Sequence, residues 1–119
     1  MKRILWDFDD SIAPLEKDGV PKAPYPGTAK IFFNLRKQGF EILVWSARWN
    51  SGDEKKNKEE INIVRKFMYK FKIPYDGILP DKKPHTTFFV DDRAINFSGN
   101  PKQTYDILIN KLNKKEEVK

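Results

Sequence analysis

The chain has no cysteine and only one histidine, His85. The missing cysteines exclude disulfide frameworks and thiolate metal sites, and they fit a reducing compartment, so we expect a cytoplasmic protein. No apolar run approaches the roughly 18 residues that a membrane span requires. Met1 to Arg3 lead directly into a short strand instead of the apolar core of a signal peptide. The sequence therefore predicts a soluble protein with no membrane partner.

Length and charge narrow the choice further. The 119 residues are enough for one hydrophobic core and too few for two, so we expect a single domain over residues 1–112, followed by a charged tail over residues 113–119. The 23 basic residues outnumber the 17 acidic ones, which gives a net charge of +6. Such an excess favours anionic partners, either phosphorylated small molecules or nucleic acid.

Strand-like and helix-like segments alternate along the chain. Residues 40–45 are almost continuously apolar from Ile42 onwards, as in a parallel strand covered on both faces. Further strands are expected at residues 4–9, 77–79 and 87–90. Helices are expected from the N-cap Thr28, from a capping box of Ser51 and Glu54, and from Asn100 with Pro101. This alternation predicts a three-layer α/β sandwich with a Rossmann-like parallel sheet.

The first strand ends in acid. Ile4, Leu5 and Trp6 are followed by Asp7 and, two residues later, Asp9. In an extended chain these two carboxylates point the same way, and their repulsion favours a bound cation or a shared proton. A solvated strand end is the alternative for so short a pattern.

Polar groups also follow or precede the other strands. They are Ser46 after the second strand, Lys83 shortly before the fourth, and Asp91 with Asp92 after it. Because ligands of such sheets collect at the carboxyl ends of the strands, all of these groups are expected at one rim. A carboxylate nucleophile, an acid/base, a hydroxyl, a fixed cation and acidic metal ligands suit phosphoryl transfer.

These motifs resemble those of the haloacid dehalogenase superfamily of Mg²⁺-dependent phosphohydrolases. Asp7-Phe8-Asp9-Asp10-Ser11 is similar to its first motif, with serine in place of the usual threonine and Asp10 where glycine is common. Ser46, Lys83-Pro84 and Asp91-Asp92 are similar to the second, third and fourth motifs, in the family's order. The resemblance covers residues 4 to about 97 and implies a Rossmann-like fold of this type.

The resemblance also implies a role for each site residue. Asp7 would attack phosphorus and bind Mg²⁺, and Asp9 would act as acid and base and lend its backbone carbonyl to the metal. Phosphoryl oxygens would be held by Ser46, Ala47, Arg48 and Lys83. Asp91 would complete the metal site, with Asp92 binding directly or through water.

Members of this superfamily differ in cap insertions after the first or third strand. The intervals here, residues 13–27 and 80–87, are too short for a cap domain, so the resemblance implies a capless, open site. Its mouth is expected to be lined by Arg48 and Trp49, whereas Trp6, a weaker candidate for the mouth, is expected in the core. Arg48 has a second expected role, in which it holds the loop after the second strand or pairs with Asp92.

Other functions remain open. A response-regulator receiver domain has a similar set of groups, but its phosphorylated Asp ends the third strand, whereas here that strand ends in Ile78-Leu79-Pro80. A nucleic-acid- or phosphate-binding module with little or no catalysis is the main alternative to a phosphomonoesterase. A phosphotransferase, or a subunit that needs a second protein, is also open. The substrate is expected to be a nucleotide, a polynucleotide end or another phosphate ester.

Overall fold

The computed structural model describes residues 2–79, 88–90 and 100–117. These residues form four strands and three α-helices, with a short 3₁₀ turn at Ala47–Trp49. In chain order the elements are β1 (Lys2–Asp7), α1 (Thr28–Lys37), β2 (Phe40–Trp45), α2 (Glu54–Lys70), β3 (Gly77–Ile78), β4 (Phe88–Val90) and α3 (Pro101–Glu117).

The four strands form one parallel sheet in the order β3-β2-β1-β4. Ile4 lies beside Ile42 on β2, and Trp6 lies between Val44 on β2 and Val90 on β4. The chain moves outward from β1 through β2 to β3 and then returns to the other side of β1. This order is that of a Rossmann-like α/β fold, and the predicted fold class is confirmed. The reversal of direction beside β1 is where ligands of such sheets bind.

One face of the sheet packs against helices. Side chains alternate along a strand, so Ile4, Trp6 and Phe8 point to the same face. The Trp6 ring packs on Phe32 of α1, with 4.6 Å between ring centroids, and Phe8 meets Phe67 of α2 edge to face at 5.3 Å. All five residues belong to the buried core. Burial of these large rings makes β1 the centre of the hydrophobic core.

β2 is buried on one face only. Phe40, Ile42 and Val44 are buried, whereas the intervening Glu41, Leu43 and Trp45 are half-buried. The expectation of a strand fully covered on both faces was therefore too strong. On this second face Glu41 accepts a 2.7 Å ion-pair bond from Arg3 of β1, and the two side chains remain 25% and 40% exposed. An exposed pair of this kind is worth at most about 1 kcal/mol.

α1 begins at Thr28 as predicted, but two predicted N-caps were wrong, by one residue for α1 and by two for α2. The N-cap of α1 is Gly27 with φ +87°, and Thr28 is already helical, its hydroxyl donating to the Tyr25 carbonyl at 2.6 Å. The N-cap of α2 is Asp53, whose carboxylate accepts from the backbone N–H groups of Lys55 and Lys56. The apolar stripe of α2 is buried at Val64, Phe67 and Met68 and half-buried at Ile61 and Phe71.

α3 begins as predicted. The Asn100 side chain accepts hydrogen bonds from the backbone N–H groups of Lys102 and Gln103 and so caps the helix. Leu108 is fully buried, and the Tyr105 hydroxyl accepts a hydrogen bond from the Gln38 side chain at the end of α1. The helix continues to Glu117, so it includes most of the segment that we expected to be a charged tail. None of the helices in the described ranges has the length and apolar character needed to cross a bilayer.

α2 ends in a Schellman motif with an unusual residue. The Ile73 N–H donates to the Met68 carbonyl at 2.9 Å, and the Lys72 N–H donates to the Tyr69 carbonyl at 3.1 Å. Lys72 therefore occupies the position where glycine is strongly preferred, and its φ is +53°. A side chain in this left-handed conformation costs about 1–2 kcal/mol.

Replacing Lys72 with Gly is expected to stabilise the protein by about 0.5–1 kcal/mol. The substitution removes the left-handed strain, and the larger entropy of glycine in the unfolded chain offsets part of the gain. Thermal unfolding should show a rise of roughly 2–4 °C in Tm. Gly39 is the matched control, because it holds φ +91° at the end of α1 and a Cβ there meets nothing within 4 Å. Gly39→Ala should therefore lower Tm; an equal or lower Tm for Lys72→Gly would contradict the strain argument.

Candidate functional site

Asp7 and Asp9 lie at the carboxyl end of the central strand. Asp7 is the last residue of β1, and the Phe8 N–H still donates to the Trp45 carbonyl of β2 at 3.0 Å. Phe8 turns into the core, while both aspartates stay partly exposed. The alternation expected from the sequence thus separates the buried phenylalanine from the two carboxylates.

A tight turn follows β1. The Phe8 carbonyl accepts from the N–H groups of Ser11, Ile12 and Ala13, and the Asp10 N–H donates to the Ala13 carbonyl at 2.7 Å. This turn places Asp10 at φ +62°, a conformation that Asp tolerates better than most side chains. Its carboxylate also accepts from the Leu15 N–H at 2.9 Å.

Trp6 and Ser11 are buried beneath this turn. Trp6 is fully buried, and its ring N–H donates to the Ser11 carbonyl at 3.0 Å. Trp49, also expected near the mouth of the site, is 1% exposed and donates to the Leu79 carbonyl at 2.6 Å. Both tryptophans are therefore core residues, so the expected core position of Trp6 is confirmed and the expectation that Trp49 lines the site was wrong. Ser11 is also buried, and its hydroxyl has no hydrogen-bond partner in the described part of the structure.

The end of β2 reaches Asp9 directly. Ser46 follows Trp45 and is 1% exposed, and its hydroxyl donates to Asp9 Oδ2 at 3.1 Å. The same hydroxyl accepts from the Arg48 backbone N–H at 3.1 Å and so caps the 3₁₀ turn that contains Ala47, whose own side chain is exposed. The first and second sequence motifs are thereby joined by one hydrogen bond.

Arg48 forms an ion pair with Asp9. Its Nε lies 2.9 Å from Oδ1 and 2.8 Å from Oδ2, and the two side chains are 9% and 19% exposed. Arg48 Nη1 donates to the Gly19 carbonyl at 2.5 Å and to Glu60 of α2 at 3.2 Å. Arg48 therefore connects the site with the loop after β1 and with α2. Its Nη2 is buried, without a partner among the described residues.

The surroundings of Arg48 keep it charged. Burial by itself lowers the pKa of the guanidinium, but the hydrogen bonds and negative charges of Asp9 and then of Glu60 outweigh burial and raise the pKa above its ordinary value. The Phe8 ring also lies 5.7 Å from the guanidinium carbon.

In the loop after β1, burial and then the charge of Asp10 raise the pKa of the Tyr25 phenol.

The sequence did not predict that Arg48 pairs with Asp9 or with Glu60. Glu60 belongs to the mixed-charge start of α2, which resembles a solvated face; Lys55, Lys56 and Glu59 are indeed exposed, whereas Glu60 is half-buried. No sequence signal marks Glu60 as different from Glu59, apart from its position one residue before the apolar Ile61.

Three expected site residues, Lys83, Asp91 and Asp92, lie outside the described residues, as do His85 and the interval 80–87. Within the residues that the structure does describe, no group of three or more His, Cys, Asp or Glu side chains is placed to hold a metal ion. The loop from the end of β1 to α1 is described throughout and contains no helix or extended strand. The first of the two intervals expected to lack a cap therefore contains no inserted domain.

No family model and no curated protein matches the chain. Among solved structures, a structural-genomics target from Vibrio cholerae is 25% identical, with a TM-score of 0.67, and the match covers 98% of this chain and 99% of that one. This likeness supports the Rossmann-like fold over nearly the whole chain. D,D-heptose 1,7-bisphosphate phosphatase from B. bronchiseptica, complexed with magnesium and phosphate, gives 14% identity and a TM-score of 0.46, over 95% of this chain and 64% of that one. A TM-score this low does not establish a shared fold.

Proposed function

We propose that this protein is a Mg²⁺-dependent phosphohydrolase that forms an aspartyl-phosphate on Asp7. The observation that carries the proposal is the hydrogen bond between Ser46 and Asp9, which brings the ends of β1 and β2 together beside the reversal point of the sheet. Carboxylates and a hydroxyl at that point are the groups that phosphoryl transfer through a carboxylate requires. The proposed substrate is a nucleotide, a polynucleotide end or another phosphate ester.

The reaction needs two steps. In the first, an Asp7 oxygen attacks phosphorus, the bond between phosphorus and the ester oxygen breaks, and Asp9 gives a proton to the departing alcohol. In the second, Asp9 removes a proton from water, and the resulting hydroxide attacks phosphorus. The bond to Asp7 then breaks, which regenerates the carboxylate and releases inorganic phosphate.

The metal would be held by oxygen atoms. Asp7 provides a partly exposed carboxylate and Asp9 a backbone carbonyl, and the sequence adds Asp91 and Asp92. These are the hard oxygen ligands that Mg²⁺ prefers, so the described donors fit the ion. When bound, Mg²⁺ would offset the negative charge of the phosphoryl group and the carboxylates.

The Arg48 pair has a role in this scheme. Asp9 accepts hydrogen bonds from Ser46 and Arg48, and these contacts must loosen before Asp9 can give a proton to the leaving group. The buried Arg48 Nη2 is a donor without a described partner. We infer that a phosphoryl group would draw Arg48 away from Asp9, while Ser46, Ala47 and Lys83 complete its binding.

The proposal predicts metal-dependent turnover through a trapped covalent intermediate. Hydrolysis of an aryl phosphate should fall at least about 100-fold when Mg²⁺ is removed with a chelator, because loss of charge compensation costs several kcal/mol. Rapid quenching followed by borohydride reduction should convert the phosphorylated Asp7 to an alcohol, which peptide mass spectrometry locates. Turnover that is independent of metal, or a label on another residue, would contradict the proposal.

A further inference from the structure

A groove of about 1180 Å³ lies between α1 and the C-terminal half of α2, on the helical side of the sheet. Its floor includes the buried Met68 and Ile73, and its walls carry two exposed aromatic rings, Phe33 on α1 and Tyr69 on α2. Phe33 is 56% exposed and Tyr69 is 87% exposed. We call this surface the α1–α2 groove. It shares no residue with the candidate active site.

The charge of the α1–α2 groove has one sign. Its described lining residues include five cations and no carboxylate; the cations are Lys30, Arg65, Lys66, Lys70 and Lys72. All five are exposed. The chain also contains 17 acidic residues, so an even mixture of charges is the ordinary expectation for such a surface. The groove therefore presents a concentrated positive potential to an anion.

The backbone strain at Lys72 also points to a function of the α1–α2 groove. Lys72 holds a left-handed conformation at a position where glycine is favoured, and its side chain lies on the rim of the α1–α2 groove. Glycine at this position would relieve the strain but remove a cation from the groove. Strained residues are often found where the side chain has a function, and the Lys72 side chain supplies positive charge to the groove.

We propose that the α1–α2 groove binds single-stranded nucleic acid. The five cations would track the phosphate backbone, and the exposed rings of Phe33 and Tyr69 would stack on bases, which is the combination that single-strand binding requires. Phe33 already has Lys37 Nζ at 5.7 Å from its ring centroid, which leaves its other face for a base. An acidic protein segment would satisfy the cations, but it would leave the exposed Tyr69 ring without a matching group. The proposal goes beyond the hydrolase and holds whether or not the chain is an enzyme.

The first test is binding of fluorescent oligonucleotides, followed by anisotropy. Oligo-dT and oligo-U of about 12 nucleotides present the same phosphates and flat bases, and comparing them separates DNA from RNA. Both should bind more tightly than a duplex of the same length. A plot of log affinity against log salt should have a slope of roughly −2 to −3 if three or four phosphates are neutralised. Absence of binding to both single strands, or equal binding of the duplex, would overturn the proposal.

Charge-reversal variants of α2 locate the site. Lys66→Glu with Lys70→Glu should weaken single-strand binding roughly tenfold or more, because two phosphate contacts become repulsive. Lys55→Glu with Lys56→Glu makes the same change in net charge on the exposed first turns of the same helix and should have a much smaller effect. Equal losses in the two pairs would show only general electrostatic attraction and would overturn a site in the groove.

Two single variants separate binding from folding. Tyr69→Ala should weaken binding roughly tenfold while Tyr69→Phe retains it, because stacking depends on the ring and not on the hydroxyl. Lys72→Gly should weaken binding even though it raises Tm. If Lys72 had only a structural role, a variant that raises Tm would not lose binding. An oligo-glutamate peptide is the competing ligand, and its binding in place of the oligonucleotides would assign the groove to an acidic protein partner and overturn the proposal. Hydrolysis of an aryl phosphate should be unchanged in the groove variants, so failure of either proposal can be recognised without the other.

Discussion

Turnover of an aryl phosphate is expected to fall by roughly 10⁴-fold or more when Asp7 is replaced by Asn. Asparagine keeps the size and shape of the side chain at the end of β1, but its neutral amide is a poor nucleophile and a weak Mg²⁺ ligand. Since Asp7 is only partly buried, the free energy of unfolding should change by less than about 1 kcal/mol. Initial rates at saturating Mg²⁺, together with thermal unfolding, measure both quantities.

The matched control for this variant is Asp18→Asn. Asp18 is an exposed carboxylate in the loop after β1, where it pairs with Lys22 at 3.0 Å, and its loss should leave turnover unchanged. The hydrogen bond from the Val20 N–H, followed by that from Lys22, lowers the pKa of Asp18. Asp18 is therefore a charged carboxylate, as Asp7 must be when it acts as the proposed nucleophile. Similar turnover in Asp7→Asn and Asp18→Asn would contradict a role for Asp7 as the nucleophile.

Replacing Arg48 with Met is expected to destabilise the protein by about 2–3 kcal/mol. Removing the cation leaves Asp9 and Glu60 as largely buried carboxylates without their shared partner, and an uncompensated buried charge costs about 3–5 kcal/mol in a fully buried setting. The 19% and 23% exposure of the two carboxylates reduces that figure. Thermal unfolding should show a fall in Tm of roughly 10 °C.

Arg36→Met provides the comparison for an exposed pair. Arg36 contacts Asp76 at 3.0 Å, but the two side chains are 43% and 27% exposed, so the expected loss is below about 1 kcal/mol. A double-mutant cycle with Asp9→Asn and Arg48→Met should also give a coupling energy above about 1 kcal/mol. If Arg48→Met and Arg36→Met lower Tm equally, Arg48 does not hold a buried network.

The strands were the most predictable part of the fold. β2 begins and ends at the residues expected, Phe40 and Trp45, because a segment that is apolar except for Glu41 and is bounded by Gly39 and Ser46 leaves little choice of boundary. β1 ends where the apolar run meets Asp7, and its burial at the centre of the sheet follows from the density of large side chains there. The hydrophobic pattern therefore predicted which segments form strands, but β1 was expected at residues 4–9 and spans Lys2–Asp7, and the strand order was not predicted.

Helix N-caps were less predictable because several capping residues compete. Ser51 and Asp53 can each cap the start of α2, and the sequence does not state which one has the extended backbone of an N-cap. The structure gives that role to Asp53, while Ser51 bonds to Asn57 instead. For α1 the left-handed Gly27 precedes Thr28, and a positive φ at a glycine leaves no mark in the sequence.

The partners of Arg48 could not be predicted from the sequence, for a different reason. Asp9, Gly19 and Glu60 come from three separate segments, and which of them meets a long side chain depends on how the loop after β1 and α2 pack together. From the sequence, Arg48 was expected to line the site, to hold the loop after the second strand or to pair with Asp92. Spacing along a chain predicts contacts within an element, whereas this ion pair depends on packing between elements.

The position of Asp7 on a strand with neighbours on both sides affects how the site responds to partial unfolding. β1 is hydrogen-bonded to β2 along its whole length and to β4 at Ile4 to Trp6. Amide protons of such a strand exchange with solvent chiefly when the whole domain opens. The slowest-exchanging amides should therefore be those of β1, and the proposed hydrolytic activity should persist under fraying of peripheral elements and disappear only in the global transition.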